Sequence, residues 1–255
     1  MKNIRNQIIF IIFALLIWQG IFELKVFSPI LFPSVTHIIS ELLVGFKSDG
    51  LFDALIYSIS LIIKGVTIGA IIGFVLASIS LLFKPLKGIV QTVIAICDPL
   101  PSIALLPIAI LWFGIGEGTI MFIVINSVVW PVCRSMLEGF AAVPTIYVET
   151  GLNLGLTNFS LIKGVYLPSS LPNIISGLKI GWARAWRALI GAEMIFGVSG
   201  TEGGLGWYIY TKRYQLETAS VYASLLVIMI IGIIIEYFVF GLIEKKTIKK
   251  WGMTR

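Results

Sequence analysis

Charged residues are scarce in this chain. Only 13% of its 255 residues are Asp, Glu, Lys or Arg, whereas an ordinary soluble domain contains about 25%. Apolar residues make up 58% of the chain, enough for about six or seven membrane-spanning helices of about 20 residues each. The composition therefore excludes a single soluble core and a disordered chain, and it indicates an all-α integral membrane protein.

Cysteine, histidine and catalytic motifs are also scarce. The chain has only two cysteines, Cys97 and Cys133, too few for a disulfide scaffold, and both lie in apolar stretches; the only histidine is His37. The sequence contains no G-x-x-x-x-G-K-[ST] phosphate loop, no H-E-x-x-H and no Cys-x-x-Cys. We therefore expect no catalytic residue, no metal site and no cofactor bound by this chain.

The basic residues cluster at the ends of apolar runs. The groups are Lys2 with Arg5, Lys84 with Lys87, and finally Lys245, Lys246, Lys249, Lys250 and Arg255. Under the positive-inside rule these flanks are cytoplasmic, so both termini should be inside and the number of crossings even. We expect about six spans within a single transmembrane domain of residues 1–255. They cover about residues 7–24, 54–83, 88–113, 119–137, 172–198 and 218–243. Residues 199–217 should form an external loop.

Glycine and proline punctuate two of these spans. Gly65, Gly69 and Gly73 recur every four residues in the second span, and this spacing predicts a face on which another helix can approach closely. The third span contains Asp98-Pro99-Leu100-Pro101 and later Pro107. Because proline removes a backbone donor, this span should bend or break, with its irregular backbone facing a bundle interior or a cavity.

The most specific signal lies in residues 138–171, the longest internal loop. Glu149-Thr150-Gly151-Leu152-Asn153-Leu154-Gly155 is followed, after nine intervening residues, by Val165-Tyr166-Leu167-Pro168. This spacing resembles the pattern E-A-A-x-x-x-G and I-x-L-P in permease subunits of ATP-binding-cassette importers. Thr150 and Gly151 replace the two alanines. Segments such as Leu111-Trp112-Phe113-Gly114-Ile115-Gly116-Glu117 extend the resemblance, which is to permeases of the nitrate, sulfonate, taurine and bicarbonate branch.

The resemblance implies a transport subunit of a prokaryotic inner or plasma membrane. It implies a homodimer of this chain, surrounded by lipid, with a cytoplasmic ATPase dimer that binds ATP and an external solute-binding protein. Residues 138–171, here called the coupling loop, would contact the ATPase between the fourth and fifth spans. The contact residues carried over from the pattern are Glu149, Gly155, Leu167 and Pro168. A short helix ending at Gly155 and a second helix stopped by Leu167-Pro168 would form a compact element at the membrane surface.

Charges within the spans are the candidates for the translocation pathway. Charges in hydrocarbon cost about 2.5–3.5 kcal/mol each, so they should face the bundle interior or water. The candidates are Asp98, Arg184, Arg187 and Glu193. Arg184 and Arg187 share a helix face, and Trp182 with Trp186 share a neighbouring one. A cavity lined by guanidinium groups and indoles suits a small anionic or planar solute.

Two alternatives remain open from the sequence. First, Asp98, Glu138, Glu193 and Glu236 could neutralise Lys64, Arg134, Arg184 and Arg187 as ion pairs, with Arg134 and Glu138 forming a local pair four residues apart. Second, a stand-alone secondary transporter could use Asp98, Glu193 or Glu236 as proton carriers. The coupling loop favours the ATP-driven importer, because a secondary transporter does not need that loop.

Overall fold

The computed structural model describes residues 2–196 and 203–249, and within these ranges it contains helices and no β-strand. The helices before the coupling loop are α1 (Lys2–Glu23), α2 (Val35–Ser48), α3 (Leu51–Leu82), α4 (Lys84–Cys97), α5 (Leu106–Phe113) and α6 (Glu117–Ala141). The helices of the loop and beyond are α7 (Thr145–Asn153), α8 (Asn158–Leu161), α9 (Leu167–Ser169), α10 (Leu171–Phe196), α11 (Leu205–Tyr214), α12 (Thr218–Ile233) and α13 (Gly241–Glu244). The expected all-α fold is confirmed.

Among the described residues, four helical segments are long and apolar enough to cross a membrane, and a bent pair adds a fifth. The four are Arg5–Glu23, Leu51–Leu82, Glu117–Ala141 and Thr218–Thr247, and the pair is Pro85–Cys97 with Ser102–Phe113. α10 has 26 residues, which is long enough, but it carries several charges. α10 corresponds to the expected fifth span along the chain, and the six-span count with internal termini stays a prediction. Residues 197–202 and 250–255, which contain the end of that span, Lys250 and Arg255, lie outside the described residues.

The described chain divides into two compact units. The first contains residues 2–58, 193–196 and 203–230, and the second contains residues 59–192 and 231–249. In the first unit, Trp18 on α1 stacks on Phe32 with ring centroids 4.3 Å apart and donates a hydrogen bond to the Pro33 carbonyl. The Trp18 ring also makes a nearly perpendicular contact with the Tyr222 ring on α12, with centroids 5.2 Å apart. One tryptophan thus joins the first helix, the following turn and α12.

In the second unit, α6 packs between α3 and α10. The glycine face of α3 lies against the valines of α6: a Cβ on Gly69 would be 2.8 Å from Val128 Cβ, and one on Gly73 would be 2.9 Å from the Val129 carbonyl oxygen. On α10, a Cβ on Gly177 would lie 2.7 Å from Ser135 Cβ. The predicted close approach along the α3 glycines is confirmed, and its partner is α6.

The third span is broken, as its prolines predict. α4 ends at Cys97, and the chain continues through a 3-10 helix, Ser102–Leu105, into α5. The two halves meet at 90°. Pro107 causes no further break, because it lies in the first turn of α5, where its missing N–H would have no intrahelical acceptor.

α11 is a helix that the sequence did not predict. It begins after Gly204 within the glycine-rich segment expected to be an external loop. The backbone N–H groups of Leu205 and Gly206 are bonded to the side chains of Ser58 and Glu193. Because these partners are distant in sequence, local patterns gave no sign of the helix start.

The α3–α6 contact gives a first prediction. Gly73→Ala should destabilise the permease by about 1–3 kcal/mol, because the new methyl group meets the backbone carbonyl of Val129 and the side chain of Val132. The matched control is Gly232→Ala on α12, where a Cβ meets nothing within 4 Å. There alanine should be neutral or stabilising by up to about 1 kcal/mol. Melting temperatures in detergent would measure both, and equal shifts for the two variants would contradict this packing.

Candidate functional site

Asp98 lies at the break between α4 and α5 and binds two arginines. Arg184 Nη1 on α10 donates to Asp98 Oδ1 at 2.5 Å, and Arg134 Nη2 on α6 lies 2.9 Å from Asp98 Oδ2. The Asp98 side chain is only 6% exposed, whereas those of Arg134 and Arg184 are 44% and 41% exposed. We call Asp98, Arg134 and Arg184 the Asp98 cluster. It joins three helices through one carboxylate.

The predicted local pair between Arg134 and Glu138 is wrong. Within the described residues, Arg134 pairs with Asp98 and not with Glu138. A buried carboxylate is costly without countercharge, whereas an exposed pair one helical turn apart contributes only about 0.3–0.5 kcal/mol. The Arg134 side chain therefore points to Asp98, because the buried Asp98 carboxylate requires a countercharge.

A cavity of about 400 Å³ opens beside the Asp98 cluster. Its polar lining consists of Cys97, Asp98, Ser102, Asn126, Ser127, Trp130, Arg184 and Arg187. Trp130 Nε1 donates to Asn126 Oδ1 at 2.9 Å, and Asn126 Nδ2 donates to Ser102 Oγ at 3.3 Å. The broken span, α6 and α10 therefore form one polar recess in the second unit. Asn126, Ser102 and Trp130 were not singled out from the sequence, and polar residues one turn apart on α6 are the signal that could have found them.

Arg187 differs from the other two arginines. Its guanidinium is exposed, and its Nε donates to the Ala183 carbonyl one turn earlier. No acidic side chain of the described chain pairs with it. Arg187 thus places an uncompensated positive charge at the wall of the cavity.

The indoles of α10 do not line this cavity. Trp182 and Trp186 are buried, with parallel rings 6.1 Å apart. The cavity lining contains Trp130 from α6 instead. The expectation that Trp182 and Trp186 join the arginines at the cavity wall is therefore wrong.

Glu193, the fourth candidate, belongs to the first unit. Its carboxylate is 1% exposed and accepts hydrogen bonds from the Ser58 hydroxyl at 2.8 Å and from the Gly206 N–H at 2.9 Å. A carboxylate at this position also complements the positive end of the α11 helix dipole. Glu193 therefore has a complete set of partners at the start of α11.

Two further ion pairs involve residues that the sequence singled out. Lys64 pairs with Glu117 at 3.3 Å, and both side chains are about half exposed. Lys179 pairs with Glu236 at 2.8 Å and with Glu244 at 3.5 Å. Glu236 is thus neutralised by a neighbouring lysine.

The first half of the coupling loop ends in a defined helix terminus. After α7, Gly155 adopts φ +80°. Its N–H bonds to the Leu152 carbonyl, and the N–H of Leu156 bonds to the Gly151 carbonyl. These bonds form a Schellman motif, which requires the left-handed conformation that glycine adopts without strain. The expected helix end at Gly155 is confirmed.

The second half of the loop does not stop at Leu167-Pro168. α8 continues through a π-helical turn, Ile162–Tyr166, into α9, and the break comes at Ser170. The wide turn lets the Leu167 N–H reach the Ile162 carbonyl, and Pro168 then lies in the first turn of α9, where no N–H is needed. The predicted stop at Leu167-Pro168 is therefore wrong by two to three residues.

Gly151 explains one departure from the family pattern. A Cβ at Gly151 would lie 2.8 Å from Leu161 Cδ1 and 2.9 Å from Val165 Cγ2. The glycine therefore lets α7 pack against the second half of the loop. Tyr166 in turn makes an edge contact with Phe140 at the end of α6, with centroids 5.6 Å apart. The loop is a packed element attached to the helix bundle.

The outer face of the loop is apolar, although it lies outside the expected spans. Its large exposed side chains are Ile146, Tyr147, Leu152, Leu154 and Phe159, which are 50–76% exposed. Glu149 on α7 is exposed as well. An apolar patch of this kind, rimmed by polar residues, is typical of a protein–protein interface.

A second charged cluster lies in the first unit, beside a cavity of about 720 Å³. Lys212 Nζ lies 2.7 Å from Asp49 Oδ2 and from Glu217 Oε2, and the Tyr208 hydroxyl donates to Asp49 at 2.6 Å. Burial of Asp49 opposes its ionisation, but the bonds from Lys212 and Tyr208 outweigh it and lower the pKa of Asp49. For Lys212 the effect of burial is likewise outweighed, so the carboxylates raise its pKa. Burial and Asp49 raise the pKa of Tyr208.

Comparison with known proteins identifies the family. The family described as the inner membrane component of binding-protein-dependent transport systems matches residues 65–249, which is most of the chain. The chain belongs to this family. It is therefore an ABC transporter permease, a multi-pass inner membrane subunit and not an enzyme. The family implies an ATPase and a solute-binding protein as partners of the permease. A stand-alone secondary transporter is not supported.

Curated relatives agree over nearly the full length. The permease is 28% identical over 228 residues to a putative ABC transporter permease of Methanocaldococcus jannaschii, covering 88% of this chain and 84% of the relative. It is 29% identical to the taurine transport permease of Escherichia coli, covering 87% and 81%. It is 27% identical to a bicarbonate transport permease of Synechococcus elongatus, covering 76% and 69%. The relationship thus extends over both the spans and the loop.

A solved structure shows the same fold. A crystal structure of an amino acid ABC transporter with histidines matches 80% of this chain and 98% of that chain, with a TM-score of 0.59 and 22% identity. The permease fold is therefore shared.

The coupling loop gives a second prediction. Gly155→Val should strain the Schellman motif by about 1–2 kcal/mol, because a β-branched residue resists a positive φ. Since a Cβ there meets nothing within 4 Å, the effect would arise from the backbone alone, and Gly155→Asn should be tolerated. We expect the valine variant to reduce ATPase co-purification and coupled uptake at normal permease abundance. Equal loss in both variants would contradict a conformational cause.

The cluster of Asp49, Lys212, Glu217 and Tyr208, here called the Asp49 cluster, gives a third prediction. Because the pKa of Asp49 is lowered, its stabilisation is complete above its ordinary value of 3.8 and is lost as pH falls through the lower folded value. Lys212 has a raised pKa, so its contribution persists below 10.5 and is lost only above it. Asp49→Asn should thus cost about 1–2 kcal/mol at pH 7.

Thermal unfolding at several pH values would measure this. The melting temperatures of Asp49→Asn and the wild type should converge only once the pH has fallen below the lowered folded pKa of Asp49, where this carboxyl is protonated in both states of the wild type. Asp53→Asn, an exposed carboxylate of α3, is the control with a smaller difference at neutral pH. A difference for Asp49→Asn that persists unchanged in acid would contradict the electrostatic account.

Proposed function

We propose that this permease forms the translocation pathway for a small anion and that the cavity at the Asp98 cluster is part of that pathway. The observation that carries the proposal is the charge of the cavity. Its lining contains one carboxylate, Asp98, and two guanidinium groups, those of Arg184 and Arg187, and Asp98 is also paired with Arg134 on its other oxygen. The net charge of these side chains is positive, and Arg187 has no acidic partner in the described chain.

The chemistry of the lining supports an oxyanion as the solute. Guanidinium groups pair with carboxylate and sulfonate groups through two parallel hydrogen bonds. Asn126, Ser102 and Trp130 add neutral polar groups that can orient a small solute. Relatives are named for taurine, aliphatic sulfonates, bicarbonate and nitrate, and these solutes share an anionic oxygen group.

The assembly that we propose has two copies of this chain, an ATPase dimer at the coupling loops, an external solute-binding protein and surrounding lipid. ATP would be bound by the ATPase, since this chain has no phosphate loop. Glu149, Gly155, Leu167 and Pro168 would form or support the ATPase contact. The exposed apolar side chains of α7 and α8 support this docking, because they would otherwise face water.

Arg187 provides the test of the anion pathway. Arg187→Gln should lower ATP-driven uptake at least about tenfold, equivalent to about 1.4 kcal/mol, at normal permease abundance, because it removes an unpaired charge and no structural ion pair. The assay is uptake of labelled taurine, bicarbonate and nitrate into vesicles that contain the whole transporter. The matched control is Arg5→Gln, which removes an exposed guanidinium at the start of α1. Normal uptake of every anion by Arg187→Gln would refute the proposal.

A further inference from the structure

The Asp98 cluster divides one carboxylate between two arginines. Arg184 binds Oδ1 and Arg134 binds Oδ2, so neither guanidinium shares an oxygen with the other. Because Asp98 is nearly buried, it needs at least one cationic partner at all times. Either arginine alone meets that need, so one of the two can leave.

The two arginines face different spaces. Arg184 lines the cavity of about 400 Å³ together with Arg187, three residues further along α10. Arg134 lines a different cavity of about 390 Å³, together with Gln91 and Glu138. A solute in the first cavity therefore reaches Arg184 and Arg187 and leaves Arg134 with Asp98.

Arg184 also holds the helix break. Besides the carboxylate, its Nη1 lies 3.2 Å from the backbone carbonyl oxygen of Asp98. That carbonyl lies at the break, where the regular helical pattern of N–H donors is interrupted. When Arg184 leaves Asp98, the break loses a side-chain donor as well as a countercharge.

We propose that the anionic group of the solute and the Asp98 carboxylate compete for Arg184, while Arg134 retains Asp98. This inference rests on the proposed function, since it requires an anionic solute. In the absence of solute, Asp98 takes the place of the solute's acid group at Arg184. Bound solute takes Arg184 as a partner together with Arg187, and the α4–α5 break is released from α10. A neutral solute cannot make this exchange, so Asp98 also sets specificity for anions.

The exchange predicts a particular dependence on Arg134. In the wild type, Arg134 favours the solute-bound state because it keeps Asp98 paired after Arg184 has left. Without Arg134, Asp98 depends on Arg184 alone and holds it more firmly. Without Asp98, Arg184 is free and Arg134 has no influence on it. The effects of Asp98 and Arg134 are therefore not additive, as expected for residues that act through one interaction.

The reactivity of Cys97 can report whether an anion occupies the cavity. It lines the cavity and is partly exposed, whereas Cys133, the other cysteine, is buried. In membranes that contain the whole transporter, bound anion should slow alkylation of Cys97 by N-ethylmaleimide. The probe is sodium ethanesulfonate, with ethanol as the neutral control, and peptide mass spectrometry separates Cys97 from Cys133. The measured quantity is the half-protecting concentration, which is the ethanesulfonate concentration at which the rate of Cys97 alkylation falls to half.

The expected results follow from the competition. Asp98→Asn should lower the half-protecting concentration about tenfold if Arg184 is free in about one tenth of wild-type molecules. Arg134→Gln should raise it severalfold. The double variant should match Asp98→Asn within about twofold, because Arg134 acts only through Asp98. Glu138→Gln is the matched control, since it removes a carboxylate near Arg134 that pairs with neither arginine, and it should leave the concentration unchanged.

Each other result has a defined meaning. If Arg134→Gln weakens protection as much in the Asp98→Asn background as alone, the arginine acts through its general field, and the competition is refuted. An unchanged half-protecting concentration in Asp98→Asn also refutes it, while the anion cavity stands. If ethanesulfonate, taurine, bicarbonate and nitrate all fail to protect Cys97 in the wild type, the anion cavity itself is refuted, and the competition with it.

Discussion

The second unit depends on one constraint: a carboxylate and an interrupted backbone have to be accommodated inside an apolar bundle. The prolines after Asp98 break the third span, and in a membrane interior the freed carbonyl groups have no water to bind. Arg184 meets both requirements at once, because it bonds the Asp98 carboxylate and the Asp98 backbone carbonyl. The polar cavity exists because this break keeps α4 and α5 from forming one straight, closely packed helix.

The close packing of α6 makes the arginines available to Asp98. Glycines on α3 and α10 bring both helices within direct contact of the α6 backbone. Arg134 and Arg184, on α6 and α10, then lie near enough to one carboxylate to bind it from two sides. Larger residues at these glycines would separate the helices and leave Asp98 with a longer, weaker ion pair. Small residues in the seam are therefore a condition for the charged cluster as well as for packing.

The sequence predicts those features that depend on residues near each other in the chain. The glycine seam, the broken span and the helix end at Gly155 follow from local spacing and backbone chemistry. Partners distant in the sequence were harder to predict. Arg134 pairs with Asp98 and not with Glu138 because Asp98 is buried and needs a countercharge, and the sequence does not show that burial. The start of α11 was missed for the same reason, since its N–H groups are satisfied by Ser58 and Glu193. The wide turn before Pro168 was missed because a π-helical turn has no sequence signal of its own.

The coupling loop and the Asp98 cluster are connected through the chain itself. α6, which enters the loop, carries Arg134, and α10, which leaves it, carries Arg184. At the membrane side of the loop, a Cβ on Gly139 of α6 would be 2.8 Å from Ser170 and Asn173, so the two helices start from a tight contact.

A displacement of the loop by a docked ATPase would therefore change the position of α6 relative to α10. That change acts directly on the two guanidinium groups that share Asp98. A carboxylate bound on both oxygens tolerates little change in the spacing of its partners, because hydrogen bonds weaken steeply with distance and angle. Thus the ion pairs of Asp98 would respond to a change in the spacing of α6 and α10, the two helices that flank the loop.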